Sequence, residues 1–183
     1  MNTQMDSSAP ARIFLVGPMG VGKTTIGLQL AQILGYEFID SDKVVEERTG
    51  ATIPLIFELE GEVGFRQREC AAIDDLTQLN NVILATGGGA VLNEQNRQHL
   101  ANRGTVVFLH ASIDQLFERT SKDRNRPLLQ TDNPKQKLSD IFRAREPLYR
   151  EIADIEFDTG KQGLRETIRE LLHQIQQHGD NTN

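Results

Sequence analysis

The chain has 183 residues, 38% hydrophobic and 25% charged, which suits one globular domain and leaves too little for two. A formal net charge of −6 argues against a nucleic-acid surface, although arginines inside a cleft can still bind a phosphorylated molecule. The single cysteine, Cys70, excludes an intrachain disulfide, and no run approaches the roughly 18 apolar residues of a membrane helix, so the cytoplasm is the expected address.

Residues 1–10, MNTQMDSSAP, lack the basic start and apolar centre of a signal peptide and read as a disordered leader. A β-type run over about 12–17 feeds Gly17-Pro18-Met19-Gly20-Val21-Gly22-Lys23-Thr24, which fits the phosphate-binding pattern G-x-x-x-x-G-K-[ST]. Glycines let backbone N–H groups turn inward around a phosphate, and the following helix adds unsatisfied donors and a positive dipole end. Gly20, Val21, Gly22, Lys23, Thr24 and Thr25 are the expected nucleotide contacts, with Lys23 on the outer phosphates and the Thr24 hydroxyl on Mg²⁺.

Helical spacing runs from Lys23 to Leu34, and Gly35 sits where a glycine cap belongs. A short strand, 36–39, ends in Asp40-Ser41-Asp42; a helix over about 43–48 stops at Thr49-Gly50. Two helical segments, roughly 53–60 and 63–79, flank Gly61. Val82-Ile83-Leu84-Ala85 is a continuous apolar strand that ends in Thr86-Gly87-Gly88-Gly89. A polar helix (93–102), a strand (105–109), a helix (113–119) and a basic segment ending in Arg126-Pro127 follow; the last reads as a mobile loop. A helix over 134–149, a strand near 155–157 and a closing amphipathic helix complete the chain, with fraying expected from 177 to 183. Strands alternate with helices, which predicts a parallel sheet covered on both faces, with ligands beyond the carboxyl ends of the strands.

The acid that usually follows an apolar strand in phosphate-loop enzymes is missing after Ala85. The carboxylates best placed are Asp40 and Asp42, where an i, i+2 pair on a strand end presents both to one cleft. One could serve Mg²⁺ and the other accept a proton; alternatively, Ser41 or Asp42 simply caps the next helix. Arg66 and Glu69, one helical turn apart, read either as a solvated pair or as a guanidinium held for a carboxylate, and Arg145 is open to the same two readings. Gly87, Gly88 and Gly89 offer main chain to a ligand. Arg126, leaving the basic loop, could close over transferring phosphates. Cys70 reads as a small core residue, and the four histidines show no metal-ligand spacing.

Over residues 11–175 these segments resemble shikimate kinase: the loop at 17–24, Asp-Ser-Asp at 40–42, Phe-Arg-x-x-Glu at 65–69, Thr-Gly-Gly-Gly at 86–89, Arg-Pro-Leu-Leu at 126–129 and Arg-x-Pro-Leu-Tyr at 145–149. The resemblance implies an α/β fold of the nucleoside-monophosphate-kinase type. Its five parallel strands, ordered 2-3-1-4-5, carry helices on both faces. It implies one domain over 11–176, with an acceptor-binding region at about 41–70 and a lid at about 121–133. It implies transfer of the γ-phosphate of ATP, with Mg²⁺, to the 3-hydroxyl of shikimate by a monomer with no nucleic-acid or membrane partner.

By the same resemblance Asp42 would be the base and hold ring hydroxyls, Arg66 and Arg145 would grip the carboxylate, and Glu69 would orient Arg66. Gly88 and its neighbours would line the ring, Asp40 would stand in the outer shell of Mg²⁺, and Arg126 would reach in from the lid. Arg119 and Gln162 would flank adenine. The rival readings are a related small-molecule kinase, for gluconate as an example, and an inactive nucleotide-binding module.

Overall fold

A computed structural model of the chain describes residues 9–121 and 131–182. Five strands, β1 (Arg12–Val16), β2 (Glu37–Asp40), β3 (Val82–Ala85), β4 (Thr105–His110) and β5 (Ile155–Asp158), form one sheet in the order β2-β3-β1-β4-β5. Every neighbouring pair is parallel. The helices are α1 (Lys23–Leu34), α2 (Ser41–Thr49), α3 (Ile53–Leu76), α4 (Glu94–Arg103), α5 (Ile113–Thr120), α6 (Pro134–Ile152) and α7 (Leu164–Thr182), with a 3-10 turn at Ala90–Leu92. No described helix is long and apolar enough to cross a membrane.

The sheet is buried on both faces because its central strands carry continuous apolar runs over 13–16, 82–85 and 106–109. Alternate side chains divide between two cores. Ile13, Leu15, Ile83 and Val107 face α1, α5 and α7 through Leu30, Leu116 and Leu171. Phe14, Val16, Leu84 and Phe108 face α2, α3, α4 and the end of α6 through Val45, Ile73, Leu100 and Tyr149. Helix α6 serves both layers, since Leu138 lies in the first core and Tyr149 in the second.

The main departures from the sequence expectation each have a local reason. Helix α2 begins at Ser41 rather than near 43, because Asp40 is its N-cap and accepts from the N–H groups of Asp42 and Lys43. The capping residue is thus Asp40, not Ser41 or Asp42. Around Gly61 the two expected helices run as one kinked element, with Gly61 at φ 70° and ψ −176°, a conformation only glycine adopts without strain. Helix α6 continues past 149 to Ile152, which is buried. Finally, α7 reaches Thr182 and does not fray from 177; Leu171, Ile175 and Gly179 continue one buried row at four-residue spacing.

Candidate active site

The strand order puts three chain turns side by side at the carboxyl edge. Asp40 of β2 pairs in register with Ala85 of β3, and Ala85 pairs with Leu15 of β1. The turns that follow are therefore the start of α2, the triple glycine and the phosphate loop, in that order across the sheet. Gly17, Gly20 and Gly22 all have positive φ, as a loop with inward N–H groups requires. A side chain at Gly17 would run into the carbonyl of Leu109, so the loop also packs tightly on the end of β4.

Two adjoining clefts open on this edge. The first, about 450 Å³, is lined by Lys23, Thr24, Thr25, Asp40, Asp42 and Arg119 along with loop glycines. Lys23 Nζ donates to the carbonyls of Gly17 and Pro18 at 2.7 and 2.9 Å, which folds the ammonium over its own loop. Thr24 Oγ1 lies 3.4 Å from Asp40 Oδ2, while the other oxygen of Asp40, Oδ1, is taken by the helix cap. A hydroxyl beside the carboxylate oxygen that the cap does not use is a hard, all-oxygen donor set that fits Mg²⁺ completed by phosphates and water. A side pocket of about 250 Å³ continues from Val21 and Thr25 past Arg119 to Gln162. Arg119 donates to the hydroxyl of Thr159 at 3.2 Å and to its carbonyl at 3.3 Å, and Gln162 donates to Glu170. The two residues expected around a base thus share one pocket beside the loop.

The second cleft, about 430 Å³, shares Met19, Asp42, Gly87 and Gly88 with the first, and adds Phe57 and Phe65 as an apolar wall. Its charged lining is Asp42, Arg66, Glu69 and Arg145. Arg66 donates to Glu69 Oε2 at 2.6 Å, and the Glu69 side chain is only 1% exposed, so this is not a solvated surface pair. Burial pushes the Glu69 carboxyl up, against the lowering pull of Arg66. Burial also pushes Asp42 up, to about 6; Asp40 adds to the shift, and Lys23 and Arg66 oppose it. The α2 N-terminus should favour charge on Asp42, by about 0.3–1 kcal/mol. Desolvation outweighs it.

Asp42 Oδ1 and Glu69 Oε1 are both buried without a hydrogen-bond partner. Both converge on Gly87, where a Cβ would stand 2.6 Å from the first and 3.0 Å from the second. A side chain at Gly89 would collide with the Arg66 guanidinium. Glycine is needed at these positions so that charged groups of the protein can lie flat on the main chain. The two carboxylate oxygens are left with unused acceptor capacity beside Gly87.

Every expected site residue within the described chain lies on this edge; Arg126 and most of the expected lid lie outside the described residues. The expected alternation of Asp40 and Asp42 along a strand is not how they meet. Asp40 ends β2 and Asp42 is in the first turn of α2, and the cap brings both to the same cleft. Sequence reasoning gave no role to Tyr149, whose hydroxyl donates to the carbonyl of Gly88 at 2.5 Å. Its position four residues after Arg145, on the same helical face, was the available signal. Ser41 was likewise missed as a support: its hydroxyl accepts from the Gly87 N–H at 3.1 Å. A larger groove, about 710 Å³, lies behind α3 against α4, but it contains no phosphate-loop or triple-glycine residue.

Fold and clefts define a phosphate-loop kinase of the nucleoside-monophosphate-kinase type, built for a small anionic acceptor. The family model for shikimate kinase matches residues 19–176. A shikimate kinase from Nitrosococcus oceani is 58% identical over 166 residues, 91% of this chain and 87% of the relative. Another, from Methylococcus capsulatus, is 54% identical over 167 residues, 91% and 93%. The structure of shikimate kinase from Acinetobacter baumannii in complex with shikimate superposes with a TM-score of 0.87 at 50% identity, covering 90% of this chain and 92% of that one. The chain belongs to the shikimate kinase family and is an ATP-dependent kinase.

Proposed function

We propose that the residues of the two clefts divide the work of a shikimate kinase as follows. ATP lies along the first cleft with its outer phosphates on the loop and Lys23, and with its base in the side pocket between Arg119 and Gln162. Thr24 and, through water, Asp40 would hold Mg²⁺, which when bound neutralises the phosphate oxygens. Shikimate lies in the second cleft, its carboxylate gripped by Arg66 and Arg145, its hydroxyls on Asp42 and its ring against Gly87, Gly88 and Gly89. Glu69 holds Arg66 in position. Asp42 takes the proton from the 3-hydroxyl as the oxygen bonds to the γ-phosphorus. The bond from that phosphorus to the bridging oxygen breaks, and ADP leaves.

The observation that carries this reading is the junction of the clefts. A buried acid with an unpartnered oxygen stands between the phosphate loop and a pair of arginines. Little covalent chemistry is required of the protein beyond positioning, charge neutralisation and exclusion of water. On sequence grounds, Arg126 supplies positive charge to the transferring group. The enzyme acts as a monomer in the cytoplasm, and every group invoked comes from one chain.

ADP release measured across candidate acceptors tests the assignment: it should depend on shikimate and not on gluconate. ATP hydrolysis independent of any acceptor would instead favour a nucleotide-binding module. The clamp has its own test. Arg66→Ala should raise KM for shikimate about a hundredfold, the cost of losing a charge-assisted pair and leaving Glu69 buried alone. KM for ATP should move little, and an unchanged shikimate KM would remove Arg66 from acceptor binding.

A further inference from the structure

Tyr149 is the largest fully buried side chain among the described residues. Its ring stacks on Phe108 of β4, with centroids 5.1 Å apart and planes 22° from parallel. Packing alone would be served by phenylalanine, so the hydroxyl needs a separate reason. It donates to the carbonyl of Gly88 at 2.5 Å, and the guanidinium of Arg145, one helical turn earlier, packs against the same glycine. Burial pushes the phenol up to about 12, so it remains a donor at any working pH.

Gly88 is where the two clefts touch. A Cβ there would stand 3.5 Å from Arg145 Nη1, 3.6 Å from the Gly17 carbonyl and 3.7 Å from the Met19 nitrogen, all ordinary contact distances. The hydroxyl therefore fixes the glycine turn against which both the acceptor arginine and the phosphate loop pack. We propose that Tyr149 is a positioning residue that sets the distance between the carboxylate clamp and the phosphate loop, and thereby aligns the acceptor hydroxyl with the donor phosphate. It rests on reading Arg145 as part of the clamp. Tyr149 is fully buried and acts only through Arg145 and Gly88. Removing its oxygen leaves the Gly88 carbonyl without that donor and frees the turn against which Arg145 packs, while the stack on Phe108 survives.

Tyr149→Phe should raise KM for shikimate about tenfold, the upper end of what one neutral hydrogen bond contributes. It should also lower kcat several-fold through misalignment, with KM for ATP within about twofold and the unfolding temperature within a few degrees of wild type. In an Arg145→Lys background the same change should alter shikimate KM less than about twofold, because the geometry it maintains is already lost. Wild-type KM and kcat in Tyr149→Phe would overturn the proposal. So would equal rises in both KM values with a lowered unfolding temperature, the mark of a merely structural role. If Arg145→Lys alone left shikimate KM unchanged, the clamp reading and the inference built on it would both fall.

Discussion

Asp42→Asn is expected to lower kcat about a thousandfold and, at neutral pH, to raise the unfolding temperature. The rate effect follows from losing a general base, which contributes roughly 10²–10⁴. The stability effect follows from the burial that equips it for that role. Its carboxyl titrates at about 6 instead of 3.8, chiefly through desolvation. A folded-state pKa raised above the unfolded value means that the native protein binds the proton more tightly than the unfolded chain. The ionised form is therefore a cost, fully present above about pH 6 and absent below the unfolded pKa. A shift of that size corresponds to at most about 3 kcal/mol, which a neutral amide of the same shape would avoid. Thermal unfolding at pH 7 should show the gain, and unfolding near pH 3 should show little difference between variant and wild type.

The same group predicts the acid limb of the wild-type rate profile. Only the ionised carboxylate can accept a proton, so kcat/KM for shikimate should fall as pH drops through about 6. That limb should be absent from the residual activity of the variant. Wild-type turnover in Asp42→Asn would exclude the residue as base, whatever its effect on stability.

The parts of this architecture legible in the sequence are those written in local pattern. The apolar run Val82–Ala85 and the glycine spacing of 17–22 need no tertiary information to be recognised. Paired groups were less legible. Arg66 and Glu69 at i, i+3 look the same on a solvated helix as in a cleft; only the burial of Glu69, which depends on packing against Gly87, separates the readings. The cap was sought at Ser41 or Asp42, but a carboxylate has two oxygens, and Asp40 uses one to cap α2 while the other faces Thr24. Tyr149 could be matched to a motif, but its role depends on Gly88, 61 residues earlier in the chain. The end of α7 was misjudged on polarity, because a glycine at 179 gives no hydrophobic signal even where it is buried.

Lys23→Ala should reduce kcat a thousandfold or more, the largest loss expected at any single position of the phosphate loop. Removing one preorganised donor to a developing oxyanion typically costs 10²–10³ in kcat. Lys23 carries a full charge rather than a backbone dipole, so its removal belongs at or beyond the upper end. The structure adds a second contribution. Lys23 Nζ donates to the carbonyls of Gly17 and Pro18, so the side chain braces the loop that must also receive the phosphates. Turning from two neutral carbonyls to charged phosphate oxygens strengthens its hydrogen bonds, which favours the phosphate-bound arrangement once ATP arrives. Alanine loses both the charge and the brace, so KM for ATP should rise along with the fall in kcat. Lys23→Arg should not restore turnover, because a planar fork cannot stand in for a compact point charge within so tight a glycine loop. Steady-state kinetics on both variants, with ADP binding followed by thermal shift, separate the two contributions. A variant that still binds ADP but does not turn over has lost the charge, and one that does neither has lost the loop. Turnover within tenfold of wild type in Lys23→Ala would mean that the phosphoryl group is stabilised by some other cation.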